Sequence, residues 1–131
     1  MNSLFALQNQ KGLTLIEIIA VLVILGILSA VAIPRYLKLE ENARSRAFDN
    51  GLRELNALES LTWADQKTSE SGFISDAKTF GSINFDIGDD FKWNTGDPTL
   101  TGGTMLFKGD SFTLSRIVSN TKTPAIWRRL P

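Results

Sequence analysis

The chain has no cysteine and no histidine among its 131 residues. Without cysteine there is no disulfide, no thiol nucleophile and no zinc–thiolate site. Without histidine the usual general base and the commonest transition-metal ligand are missing. Charge of one sign is not in excess either: 14 Lys and Arg balance 14 Asp and Glu, whereas a nucleic-acid binder carries a basic surplus. The sequence also lacks a phosphate-cradling glycine loop, a nucleophile elbow and any metal-ligand spacing. Serine and carboxylates alone are too common to support catalysis. The chain therefore reads as no enzyme, with no cofactor, no metal and no sequence-specific nucleic-acid partner.

What is present is unevenly spread. Hydrophobic residues make up 43% and charged residues 21%, ordinary values for a folded protein, and the length suits one domain plus an appendage. Residues 13–33 read LTLIEIIAVLVILGILSAVAI, with a single charge, Glu17. As a helix this run spans roughly 31 Å, the thickness of a bilayer's hydrocarbon core. Only Lys11 and Glu17 carry side-chain charge ahead of Pro34. The chain thus divides into a leader at 1–12, a membrane-length helix at 13–33 and a head at 34–131.

Lys11, just before the apolar run, keeps the leader in the cytoplasm and sends the bulk of the chain across. Two cuts compete. A secretory signal peptide would use residues 18–28 as its apolar region and Ala30-Val31-Ala32 as its small-x-small site, releasing a soluble binding domain. Glu17, at the head of that region, speaks against it. A cut after Gly12 leaves the apolar run as the mature N-terminus.

The stretch Lys11-Gly12-Leu13-Thr14-Leu15-Ile16-Glu17 resembles the processing motif of type IV prepilins and the related pseudopilins. The resemblance covers residues 1–63 and is specific over 11–36. It implies cleavage between Gly12 and Leu13 by a prepilin peptidase, N-methylation of Leu13, and a glutamate fifth from the cut, Glu17. The family's usual first residue is phenylalanine, and Leu13 is an apolar departure. Pro34 also falls on the pattern, and the short leader is similar to that of the type IVa branch. The implied function is that of a structural subunit of a type IV pilus-like filament. Its partners would be further copies in a helical homo-oligomer, membrane lipid before assembly, and inner-membrane pilus assembly machinery. The precursor would be single-pass in the inner membrane, and the product a cell-surface pilus. A pseudopilin of a type II secretion or DNA-uptake system, in a periplasmic pseudopilus, is the alternative from the same superfamily.

A carboxylate within a bilayer costs roughly 2.5 kcal/mol or more at mid-membrane, and less near the interface or beside a partner. Cleavage after Gly12 would create an ammonium at Leu13, one helical turn from Glu17. A newly added subunit could neutralise its neighbour's Glu17 with its own N-terminus, which would favour axial register. The plainer reading is an acid snorkelling to water. Gly26 weakens a helix by roughly 1 kcal/mol relative to alanine, and Pro34 removes the hydrogen bond to Ala30 and crowds that turn. They read as a packing glycine and a kink; the resemblance adds that this stretch unwinds in a fibre.

Ala43, Ala47, Gly51, Leu55, Leu58 and Thr62, widened by Phe48, Leu52 and Leu61, predict an amphipathic helix reaching about Trp63. From Leu13 it would span on the order of 75 Å, with its first half projecting beyond the head. Residues 65–78 read as a polar loop with room for a short helical turn. Beyond them, short alternating runs at 83–87, 91–93, 105–107, 112–116 and 125–127 predict three to five antiparallel strands. Lys108-Gly109-Asp110-Ser111 reads as a hairpin connection, and 94–98 and 101–104 as loops. The fold class is α+β, with the amphipathic half of a long helix on a small sheet, in agreement with the pilin architecture.

Other features read as structural. Asp86, Asp89, Asp90 and Asp97 offer oxygens of the kind calcium takes, but their spacing fits no EF-hand loop, and they read as solvated. Arg128-Arg129 reads as a solvated basic pair, Tyr36 as an interfacial anchor or packing contact, and Trp63, Trp93 and Trp127 as core or helix–sheet contacts. The family's frequent C-terminal disulfide is impossible here, so packing and hydrogen bonds must hold the C-terminal region.

Overall fold

The computed structural model describes residues 12–131. The chain separates into two compact units, residues 1–42 and 43–131. Element α1, Leu15–Thr68, contributes to both.

In the first unit Gly12–Thr14 have no regular structure and α1 begins at Leu15. Thr14 starts it by accepting the backbone N–H of Glu17 on its hydroxyl, at 3.3 Å. Helical structure runs on through Gly26 and Pro34. None of the described residues 12–42 is buried, and large apolar side chains stand in the open, from Ile18 at 44% to Leu15 at 80% exposed. The helix is long and apolar enough to cross a membrane.

In the second unit α1 presents Phe48, Gly51, Leu55 and Glu59 to the interior, at steps of three or four. The expected stripe is corrected at three positions: Ala43 and Ala47 are exposed, and Leu61 is 67% exposed. The bulkier Phe48 and Leu55 set the buried direction, because they remove more apolar area from water than alanine can. Gly51 lies under Phe91; a Cβ there would run into that ring. The helix also continues past Trp63 to Thr68. The Trp63 indole N–H donates to the Asn120 carbonyl at 2.8 Å, and Lys67 lies over the Trp63 ring. The Thr68 and Ser69 hydroxyls serve the carbonyls of Ala64, Asp65 and Gln66 that the helix end leaves open.

A short α2, Asp76–Gly81, follows, capped by the Ser75 hydroxyl. Then come β1, Phe91–Trp93, β2, Gly102–Phe107, β3, Asp110–Ile117, and β4, Ile126–Arg129. They form one antiparallel sheet in the order β1-β2-β3-β4. The β2–β3 turn is tighter than expected. Lys108 and Gly109 make it at φ 48° and 93°, the pair of positive angles of a type I′ hairpin, while Asp110 and Ser111 belong to β3. The alternating run 83–87 is not a strand. Asn84 and Asp86 turn their side chains onto the N–H groups of Asp86 and Gly88, which diverts this backbone from a ladder. Part of the expected 101–104 loop is strand, since β2 starts at Gly102. A Cβ at Gly102 would meet the Leu114 carbonyl, so glycine lets the two backbones approach.

Between α1 and the sheet lie Phe48, Leu55, Met105, Phe107, Leu114 and Trp127, with Ile87 joining from the loop. Phe48 stacks on Phe112 at 3.8 Å between ring centroids. Trp93 meets Trp127 at 5.4 Å. Helix α1 also closes the β4 edge. Asn56 donates to the Trp127 carbonyl at 3.1 Å and accepts the Trp127 N–H at 2.7 Å, standing in for a neighbouring strand.

Candidate functional site

The start of α1 is built as a capping box. Thr14 is the N-cap and Glu17 the third helical residue, the T-x-x-E spacing that pairs side chain and backbone reciprocally. The Glu17 carboxylate accepts the Thr14 backbone N–H at 2.7 Å and the Thr14 hydroxyl at 2.9 Å, both on Oε2. The hydrogen bonds turn the carboxylate back toward the helix start. Among the described residues ahead of Pro34, Glu17 is the one charged side chain. Thr14 was not singled out from the sequence, although T-x-x-E before an apolar run is the signal that finds it.

The expected site residues lie along one exposed segment. Lys11 and the rest of the leader up to it are outside the described residues. Gly12 and Leu13 precede the helix, and Leu13 is 74% exposed. Gly26 has open space where a side chain would stand. Pro34 lies inside α1, with helix on both sides. Glu17 is brought together with Thr14; Gly26 and Pro34 share only the exposed apolar stretch of α1. Such a surface can pack against lipid or other apolar helices, and it offers no constellation for bond making.

The head holds a second arrangement that the sequence reading missed. Arg116 continues the inward alternation of Phe112 and Leu114 on β3, and its guanidinium is fully buried. Nε donates to Glu59 Oε1 and Nη2 to Glu59 Oε2 at 3.1 Å. Asp76 accepts from Nη1 at 2.7 Å and Nη2 at 2.9 Å, and the Leu100 carbonyl accepts from Nη1 at 3.1 Å. All five N–H groups of the arginine are thereby used. Glu59 also accepts the Trp127 indole N–H at 2.8 Å. Burial opposes ionisation of Asp76, but hydrogen bonds from Arg116 and Ser119 outweigh it and hold the carboxyl below its ordinary value. Burial likewise works against the Arg116 charge, and the two carboxylates reverse that, raising its affinity for the proton. The signal in the sequence was Glu59, four residues after Leu55 on the buried face.

The acidic cluster does not converge. No group of three or more metal-ligating side chains occurs among the described residues. Asp86 caps Gly88, Asp97 accepts the Thr104 N–H at 2.7 Å, and Asp90 lies 3.5 Å from Lys108. Trp93 and Trp127 pack in the core, while Trp63 fastens the end of α1. Arg129 lies over the Phe112 ring and reaches Ser45, so only Arg128 of that pair is simply exposed.

Residues 7–33 match the family described as the prokaryotic N-terminal methylation motif. A fimbrial protein of Pseudomonas aeruginosa is 37% identical over 82 residues, covering 63% of this chain and 50% of that protein. The type IV major pilin protein PilA of Myxococcus xanthus is 26% identical, covering 94% of this chain and 60% of that protein. The type IV narrow pilus major component PilA5 of Thermus thermophilus is 30% identical over 114 residues, covering 83% of this chain and 90% of that protein. The chain thus spans about half the length of the Pseudomonas relative and nearly all of the Thermus one. No solved structure matches significantly.

Proposed function

The chain belongs to the type IV pilin family, and on that premise we propose that it is a structural subunit of a pilus filament, made as a membrane-anchored precursor. A prepilin peptidase removes residues 1–12 and methylates the new N-terminus at Leu13. Before assembly residues 13–33 lie in the inner membrane, with the leader on the cytoplasmic side. An assembly machine then transfers the subunit from lipid to a homopolymer, where the apolar segments of other copies replace lipid around it.

The observation that carries this reading is the apolar first part of α1, unburied throughout, with one carboxylate at its head. Apolar surface of that extent is driven out of water, and lipid and sister helices are the two solvents open to it. The capping box supports a role for Glu17 after cleavage. Both Thr14 bonds fall on Oε2, so Oε1 is left to receive an ammonium, from Leu13 of the same chain or of a neighbour.

Mass analysis of the mature N-terminus together with electron microscopy of cells tests the proposal. A start at methylated Leu13 and loss of long fibres on deletion support it. Loss of protein secretion with fibres intact would instead indicate a pseudopilin, and a start at Ile33 would refute assembly through this helix.

A further inference from the structure

Residues 69–82, whose one regular element is the six-residue α2, and residues 118–125, between β3 and β4, carry little structure of their own. Of the first stretch only Thr79 is buried, and of the second only Ser119 and Ala125. With no cysteine in the chain, no disulfide pins either. Both are tied to one carboxylate. Asp76 Oδ1 accepts the Ser119 backbone N–H at 2.7 Å and the Ser119 hydroxyl at 2.6 Å. Both Asp76 oxygens also accept from Arg116. We propose that Asp76 is the releasable half of a clasp whose fixed half is the Glu59–Arg116 pair, and that the two stretches open and close together through it while the rest of the head stays folded.

Two features make the halves unequal. Glu59 stands within α1 with its side chain 0% exposed, so withdrawing it would disrupt the core. Asp76 is 16% exposed and opens a helix of one and a half turns, too short to hold itself together. The charges permit a release without choosing the acid that leaves, since either withdrawal leaves one neutral pair with Arg116. With both acids engaged, one guanidinium faces two carboxylates, a net negative charge in a largely dry site. With Asp76 withdrawn, a neutral Glu59–Arg116 pair remains, still donating to the Leu100 carbonyl, which is the less costly set of charges to keep buried. The Nη groups that Asp76 leaves are reached by water through the same opening. Local opening draws on stretches with little buried surface, and these two bury only Thr79, Ser119 and Ala125 between them.

Amide hydrogen exchange read by mass spectrometry on the full chain in detergent micelles tests the clasp. Asp76→Asn should speed exchange over both 69–82 and 118–125 by roughly tenfold or more, the scale of losing hydrogen bonds to a charged acceptor. Residues 48–59 and the β2–β3 ladder should remain the slower-exchanging part of the head in both proteins. Ser119→Ala touches only the second stretch, yet coupling requires faster exchange in 69–82 as well. Unchanged exchange, a change confined to the substituted stretch, or exchange in the two stretches as slow as in the β2–β3 ladder would each overturn the proposal. Should Asp76→Asn fail to fold, Ser119→Ala decides alone by the same criteria.

Discussion

Glu59 and Arg116, 57 residues apart in the chain, meet as a two-pronged ion pair with both side chains fully buried. The pair ties α1 to β3, and through Trp127 and Asp76 it reaches β4 and α2. A chain without cysteine has here a polar junction where a covalent crosslink is unavailable.

Breaking this junction from the arginine side should be severe. Arg116→Met strands two carboxylates, and removing one partner of a buried pair costs about 3–5 kcal/mol. Urea unfolding followed by tryptophan fluorescence should show the midpoint fall. The double variant Glu59→Met, Arg116→Met should lose less than the two single losses added together, since it leaves no unpaired charge at that pair.

Asp76 makes stability pH-dependent with a definite sign. Its folded carboxyl holds its proton less tightly than in the unfolded chain. The contribution is whole above the unfolded value, about 3.9, declines below it, and is lost as pH falls through the lower folded value. Thermal melts by circular dichroism from neutral pH downward should therefore show a constant gap between wild type and Asp76→Asn, narrowing only below about pH 4.

Gly51 should tolerate no side chain. The Cβ of Gly51→Ala would enter space held by the Phe91 ring, which itself packs on Phe107 at 4.7 Å between centroids. Overpacking of this kind costs about 1–3 kcal/mol. Gly26→Ala, with open space around it, should leave the melting temperature of the head unchanged.

At the start of α1, Glu17→Ala should permit insertion and cleavage while reducing the sheared surface fraction on immunoblots. Thr14→Ala removes the N-cap hydroxyl, worth about 1 kcal/mol, and frees the Glu17 side chain to rotate. Its fibre yield should lie between wild type and Glu17→Ala. Fibres at normal abundance from Glu17→Ala would exclude the charge-pairing role.

Much of the molecule could be read along the chain. The run 13–33, the Glu17 within it, the α+β class and most strands follow from local composition and period, because a membrane-length apolar segment and a two-residue alternation each need only their own residues. The T-x-x-E cap was also written there, four consecutive residues that carry their own partner.

Other features required the folded chain. The same alternating pattern made a strand at 91–93 but not at 83–87, because Asn84 and Asp86 spend their side chains on the local backbone. Ala43 and Ala47 matched the helical period yet face outward, because Phe48 and Leu55 had more surface to hide. Lys108-Gly109 closed the hairpin alone once β2 and β3 fell into register. The sequence by itself determined that a greasy helix with one acid precedes a small mixed head, since hydrophobic period and chain length are local quantities. Only the tertiary structure decided that Glu59, Asp76 and Arg116 share one buried site, since the energy of an ion pair depends on distance and solvent, and residues far apart in the chain acquire both only when the sheet closes over the helix.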